Sequence, residues 1–433
     1  MSVFKSFRSF PRNFYTVIVM EFFERGSYYG VMSVLSVYLA LSVNEGGLGF
    51  SKESIGVIKS TITPLLYLLP ILSGAMAARF GYKKILSLAF VLMSSGYALS
   101  STVSSYPMIF LCLILMACGA GLFKPLIAGT IARSTDENNS SLGFGIYYWS
   151  INLGAFIFPL ILIPWMKTFG WNYIFIMAAV GTGWLFILNM LSFRETTKPD
   201  KQKTLKETFV EMFLVLKNVR FILLIVIYSL FWIMYFQMYD AVLWYVTEQV
   251  DMSAVNAFVN SFLSNFTSSP NWKFDAEHVT VVNAGVIILL QLLVSAILKK
   301  TKPLPTMMVG ILFGSLGMAI LAFSTQGWIF LLGCVVFTLG EMTAHPKFIS
   351  YVGLVAPEDK KALYQGYAFL YGVIGSGVGG ILGAVLYVHF VEQNNNPSAL
   401  WLTFSCIGLL SVILLFFYNR LFGRAEVSRG SAE

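Results

Sequence analysis

Charge is what this chain lacks. Lys, Arg, Asp and Glu make up 12% of its 433 residues, against about 25% in ordinary soluble domains, and 57% of its residues are hydrophobic. That balance excludes a water-soluble globule. Cysteine is equally sparse: Cys112, Cys118, Cys334 and Cys406 all fall inside apolar runs, with no metal-ligand spacing, and read as small packing residues. Histidine is rarer still. His278, His345 and His389 are dispersed, so neither a metal cluster nor a nucleophile paired with a base is in evidence, and no enzyme is expected.

What is present is a succession of apolar windows long enough to cross a bilayer, whose hydrocarbon core needs about 20 helical residues. Twelve are read, as spans 1 to 12: 14–41, 54–78, 85–103, 107–131, 142–166, 171–193, 221–246, 279–298, 304–324, 327–350, 363–390 and 399–419. The first is too long and too charged for a cleaved signal segment, and is expected to remain as a helix. The expected fold class is therefore an all-α polytopic membrane protein in the lipid bilayer.

The formal net charge of +8 invites a nucleic-acid reading, but the positions of the basic residues explain it differently. Of 29 Lys and Arg, 22 lie in the terminal tails or in loops on one side of the membrane, and only Lys52, Lys167 and Lys273 in loops on the other. This is the positive-inside asymmetry, which puts both termini in the cytoplasm. No nucleic-acid partner is expected.

The longest connection, residues 194–220, separates six spans from six. The expected organisation is thus a six-helix bundle over 1–193, a linker over 194–220 and a second bundle over 221–433. Within the linker, Leu205, Phe209, Met212, Phe213 and Leu216 fall on one face of a lateral amphipathic helix at the membrane surface.

Several charges sit inside the spans, where each costs roughly 2.5–3.5 kcal/mol on insertion scales and marks a bundle interior or a water-filled path. The stretch MEFFERGSYYG, residues 20–30, places Glu21, Glu24, Arg25 and Tyr28 on one helix face at i, i+3, i+4 and i+7. Glu21 can pair with Arg25, leaving an acidic group that needs another cation, and Lys124 in ACGAGLFKP of span 4 is the candidate. At about 1.5 Å per residue, Glu21 and Lys124 lie level, each about 12 Å from the same side. Asn152, Glu341 and Tyr67 fall within about 6 Å of that layer. Glu341 and His345 form an i, i+4 pair in GEMTAHPKF, and Asp240 and Asn283 lie nearer the other side. His345 and Asp240 are candidate gate residues.

Two six-helix halves joined by a basic linker resemble the plan of the major facilitator superfamily. The loop GAMAARFGYKK, residues 74–84, is similar to a motif of that superfamily, with Ala78 where an acid is expected. Within it, Glu21, Glu24 and Arg25 followed by Tyr28, Tyr29 and Gly30 resemble the ExxER…YYG signature of the proton-dependent oligopeptide transporter family. Tyr67, Gly119, Gly121, Lys124, Pro125, Tyr147, Asn152, Gly154, Phe231, Trp232, Gln237, Asn283, Glu341 and Pro346 match further positions.

The resemblance implies proton-coupled uptake of di- and tripeptides or peptide-like small molecules by alternating access, with protons as the coupling ion and no cofactor. It assigns proton coupling to Glu21, Glu24, Arg25 and Lys124, and substrate contacts to Tyr28, Tyr29, Met32, Tyr67, Asn152, Gln237, Asn283 and Glu341. A monomer in the plasma membrane of a bacterium is the implied setting. A proton-independent facilitator or a ligand sensor on the same fold is the alternative. Departures are visible too: Met32 replaces a second arginine, Phe236 an acid, Ala284 a proline and Ala368 a tryptophan. The two helices often inserted between the halves are lacking.

Overall fold

A computed structural model of the chain describes residues 10–136, 139–195, 217–356 and 361–422, with the side chains of 141 and 361–363 left aside. The expected amphipathic helix of the linker lies outside the described residues.

Ten helical stretches are long and apolar enough to cross a membrane: Lys52–Phe80, Tyr106–Arg133, Leu142–Lys167, Asn172–Ser192, Val219–Glu248, Glu277–Leu298, Pro303–Leu321, Gly327–Val355, Tyr364–Gln393 and Pro397–Phe422. Two further helices, Arg12–Ala40 with its buried charges and Tyr82–Ser100, complete the twelve expected spans. Among the described residues there is no strand, only one isolated bridge between Asp251 and Gln326. Helix is the form that satisfies every backbone group within its own segment, as a bilayer demands. Large aliphatic side chains face outward, for instance Leu289, Leu292 and Ile297 along span 8. That is the expected surface against lipid.

The chain divides into two compact units, Met1–Phe50 with Thr61–Lys217, and Ser51–Ser60 with Asn218–Glu433. The start of span 2, through Ser60, therefore packs with the second unit and the rest with the first. Prolines stand inside several helices, at Pro64 and Pro70 of span 2, Pro125 of span 4 and Pro346 of span 10. Spans 5 and 11 each carry a π-helical turn, Phe158–Leu162 and Val388–Gln393. Span 7 is broken: Val219–Gln237 ends in a short turn, and Ala241–Glu248 restarts with Asp240 at its N-cap position.

Small residues set the closest helix approaches, as is usual where lipid removes the hydrophobic drive for helix association. In the second unit, spans 9 and 10 meet through Gly310, Gly314 and Gly317 against Gly333, Gly340 and Ala344. A Cβ at Gly340 would lie 2.5 Å from the backbone nitrogen of Gly314. In the first unit, a Cβ at Gly154 of span 5 would lie 2.6 Å from the carbonyl oxygen of Phe22 in span 1, which brings the Asn152 segment against the charged helix.

Overpacking of this kind typically costs about 1–3 kcal/mol. Gly340→Val is therefore expected to lower the thermal unfolding midpoint of the purified protein clearly, whereas Gly74→Ala, with nothing within 4 Å of the added Cβ, leaves it unchanged. Equal midpoints for the two variants would contradict the close approach.

Candidate functional site: buried charge clusters in each unit

In the first unit, span 1 buries Glu21, Glu24 and Arg25, each at most 3% exposed. Arg25 grips Glu24 through two hydrogen bonds, Nε to Oε2 at 2.5 Å and a terminal nitrogen to Oε1 at 2.6 Å. Glu21 receives only a looser contact, 3.8 Å from the same Nε, and its Oε2 has no hydrogen-bond partner among the described residues. The guanidinium also stacks beside the rings of Tyr28 and Tyr29, 4.9 and 5.9 Å from their centroids. Both tyrosines are half-buried.

Lys124 is drawn to a different partner. Its Nζ stands 5.0 Å from the ring centroid of Tyr67, and it forms no ion pair within 4.0 Å among the described residues. A cation on an aromatic face keeps part of the attraction it would find in a carboxylate. The cluster thus holds two carboxylates and two cations: Arg25 is bound tightly by Glu24 and more loosely by Glu21, while Lys124 forms no ion pair among the described residues. Asn152 is buried with its amide donating to the Tyr148 carbonyl at 2.9 Å.

Met32, read from the sequence as a substrate contact, is only 3% exposed. It lies one helical turn beyond Tyr28 on the same helix.

In the second unit, Asn283 of span 8 donates to Glu341 Oε2 at 3.0 Å and to Thr338 Oγ1 at 3.1 Å, orienting the carboxylate on span 10. Thr338 and Glu341 share a face at i, i+3, so one amide reaches both. His345 does not pair with Glu341. Its Nδ1 lies 3.5 Å from the Tyr228 hydroxyl, and its ring packs against Trp232 and Tyr371 at centroid distances of 5.4 and 5.7 Å. This places it in an aromatic cluster of spans 7, 10 and 11.

Gln237, expected as a substrate contact, is held between two helices. It is fully buried, donating to the Ile233 and Gly379 carbonyls at 2.9 and 3.1 Å, and its Oε1 occupies the space a Cβ at Gly383 would need. It is a clamp between spans 7 and 11.

Asp240 meets a partner that the sequence reading passed over. Lys59, 4% exposed, pairs with Asp240 Oδ1 at 2.8 Å and donates to the Tyr239 carbonyl at 3.1 Å, across the break in span 7. Nearby in the same unit, Lys52 binds Glu248 at 2.7 Å and Glu392 at 2.5 Å, and Tyr387 donates to Glu248 at 2.8 Å. The signal for Lys59 was present: a lysine within the apolar window 54–78 needs a counter-charge. Among the described residues, no group of three or more His, Cys, Asp or Glu is arranged to hold a metal ion.

The profile of the Major Facilitator Superfamily matches residues 17–380, and the chain belongs to that superfamily, a family of transporters and not of enzymes. It is 32% identical over 182 residues to the di-/tripeptide transporter of Lactococcus lactis subsp. cremoris, covering 41% of this chain and 37% of that protein. It is also 30% identical over 197 residues to the uncharacterized transporter YclF of Bacillus subtilis (strain 168), covering 45% of this chain and 39% of that one. The matched segments thus span about two fifths of these relatives' own length. Among solved structures, the chain superposes on peptide transporter POT in complex with sulfate with a TM-score of 0.77 at 20% identity, covering 96% of this chain and 95% of that one. A POT family transporter in complex with 5-aminolevulinic acid gives 0.76 at 20% identity, with coverage of 96% and 99%. At that identity the superpositions establish the fold.

Removing one member of a buried pair strands the other and costs about 3–5 kcal/mol. Lys59→Met should therefore destabilise the protein strongly, and Lys59→Met/Asp240→Asn should regain most of the loss, as read by thermal unfolding in detergent. A double variant no more stable than the single one would mean that the two charges do not depend on each other.

Proposed function

We propose that this chain is a proton-coupled symporter that imports di- or tripeptides, or small molecules resembling them. The observation that carries the reading is the first-unit cluster, in which Glu21, Glu24, Arg25 and Lys124 sum to neutrality while only one ion pair is tightly made. A carboxylate keeps its charge when a cation is near and favours its neutral form when buried without one. Proton uptake by the Glu21 and Glu24 pair frees Arg25, and proton loss restores its grip. Any helix movement that brings Lys124 towards the carboxylates or takes it away then changes proton occupancy, which couples protons to conformation. The partial relatives named as di-/tripeptide transporters support the substrate class.

For the substrate, Glu341 oriented by Asn283 is the acceptor for an ammonium group, and Tyr28, Tyr29, Tyr67 and Asn152 supply aromatic and amide contacts. Asp240, held by Lys59, is the gate residue. The protein works as a monomer in a bacterial inner membrane, with both termini cytoplasmic and six-helix halves at 1–193 and 221–433 joined by 194–220. With Arg25 engaged by Glu24 and Met32 apolar and buried, this cluster offers no guanidinium for bidentate capture of a substrate carboxylate until a proton releases Arg25.

Uptake into proteoliposomes should accelerate when the outside is made acidic, and accumulation should collapse with a protonophore. Accumulation indifferent to the protonophore would favour a plain facilitator, and binding without flux a sensor. Lys124→Ala and Glu24→Gln should each abolish gradient-driven accumulation. Full accumulation in both would remove the cluster from the coupling step.

The same geometry predicts substrate tolerance. A dipeptide and its C-terminal amide should bind within about tenfold of each other, a difference of less than about 1.4 kcal/mol. Competition for uptake measures it, and a much stronger preference for the free acid would show that Arg25 or Lys124 serves as the carboxylate clamp.

A further inference from the structure

Between spans 7 and 8, on the side of the membrane where span 7 ends, the second unit carries a short helix that belongs to no span, Ser253–Leu263. Val255, Phe258, Phe262 and Phe266 recur at three- and four-residue intervals and form one apolar stripe that runs on into the following turn. The stripe begins inside the protein and ends outside it. Val255 is buried, and its Cγ2 would lie 3.0 Å from a Cβ at Gly327, the first residue of the span 10 helix. Phe258 then packs edge-on against Trp328 at 5.4 Å, and among the described residues Phe262 and Phe266 make ring contact only with each other, at 5.4 Å. The three phenylalanines are 64%, 60% and 76% exposed.

The polar side of this helix is already used by the protein. Asn260 exchanges two hydrogen bonds with the backbone of Trp272, both at 2.8 Å, and Asn256 accepts from the Phe274 nitrogen at 2.8 Å. The hydrogen-bonding asparagines hold the returning loop while the phenylalanines are turned away from it. Backbone bonds between Asp251 and Thr325 and between Gly327 and Asp251 tie the entry of the helix to the outer end of span 10.

We infer that Ser253–Leu263 is an interfacial helix whose phenylalanine stripe is immersed in the lipid leaflet at the boundary between headgroups and acyl chains. Three observations select lipid as the occupant. The stripe is continuous, through Phe258 and Trp328, with the exposed face of span 10, where Leu332 follows one turn further along and is 50% exposed. Trp328 stands at the end of a span, the level at which aromatic side chains collect in membrane proteins. Residues 253–266 contain no charged side chain, so the helix is suited to apolar burial without electrostatic attraction to anionic lipid. The resulting anchor fixes the outer ends of spans 7, 8 and 10 at one depth in the membrane, independently of which substrate is carried.

The test uses the full-length protein in nanodiscs of zwitterionic phospholipid doped with a phospholipid bearing a photoactivatable diazirine on the upper acyl chain. After irradiation, adducts are mapped by mass spectrometry. The expected result is labelling of Phe258, Phe262 or Phe266 at a frequency within a few-fold of that at Leu332, with Ser261 and Ser264 unlabelled. A Phe258→Ser/Phe262→Ser/Phe266→Ser variant, altered only at exposed positions, should keep its labelling at Leu332 and lose that of the helix. Labelling of Leu332 with the wild-type helix untouched would overturn the inference, whether the stripe then faced water or a second copy of the chain. So would equal labelling of Ser261, Ser264 and the phenylalanines.

Discussion

A bilayer interior offers no water to a charge or to a backbone amide, so every polar group placed there must find its partner within the protein. This one constraint organises the molecule. It makes the chain helical and turns Leu, Ile and Phe outward. It also explains why the buried charges come in nearly balanced groups: Glu21 and Glu24 with Arg25 and Lys124 in one unit, and Asp240 with Lys59 in the other. Among the described residues Glu341 forms no ion pair and is oriented by the Asn283 amide.

Small residues are the second half of the same logic. Where helices cannot be driven together by expulsion of water, they hold by close contact, and the glycines of spans 9 and 10 bring the backbones themselves into touch. This gives the second unit a stiff pair of staves beside which Asn283 and Glu341 can be held at fixed distance. The Gln237 clamp performs a comparable task between spans 7 and 11.

Ten of the twelve expected spans were legible because length and apolarity are properties of a segment by itself. The charged face of span 1 was legible from helical spacing. Partner choice was not: the i, i+4 rule favours Glu21 for Arg25, whereas the neighbouring Glu24 curls round to take both guanidinium bonds. Depth likewise placed Lys124 level with Glu21, but it gave no sign of the Tyr67 ring that the ammonium stands beside. The break in span 7 had no local sign, since Met238, Tyr239 and Asp240 contain no glycine or proline. Lys59, brought in from far away in the sequence, bonds across it to Tyr239 and Asp240. The helix Ser253–Leu263 was read as part of a loop, because its asparagines and serines hide an apolar stripe that only the fold shows to be facing outward.

The joint in span 7 has a further consequence for the way such a protein changes over time. Lys59 and Asp240 are each nearly inaccessible to solvent, so replacing either alone leaves a lone charge in an apolar setting, and reversing either alone puts two like charges in contact. Sequence drift at these two positions therefore has no easy single step. Homologues should therefore populate the charged and the neutral versions of the joint while leaving the mixed ones nearly empty.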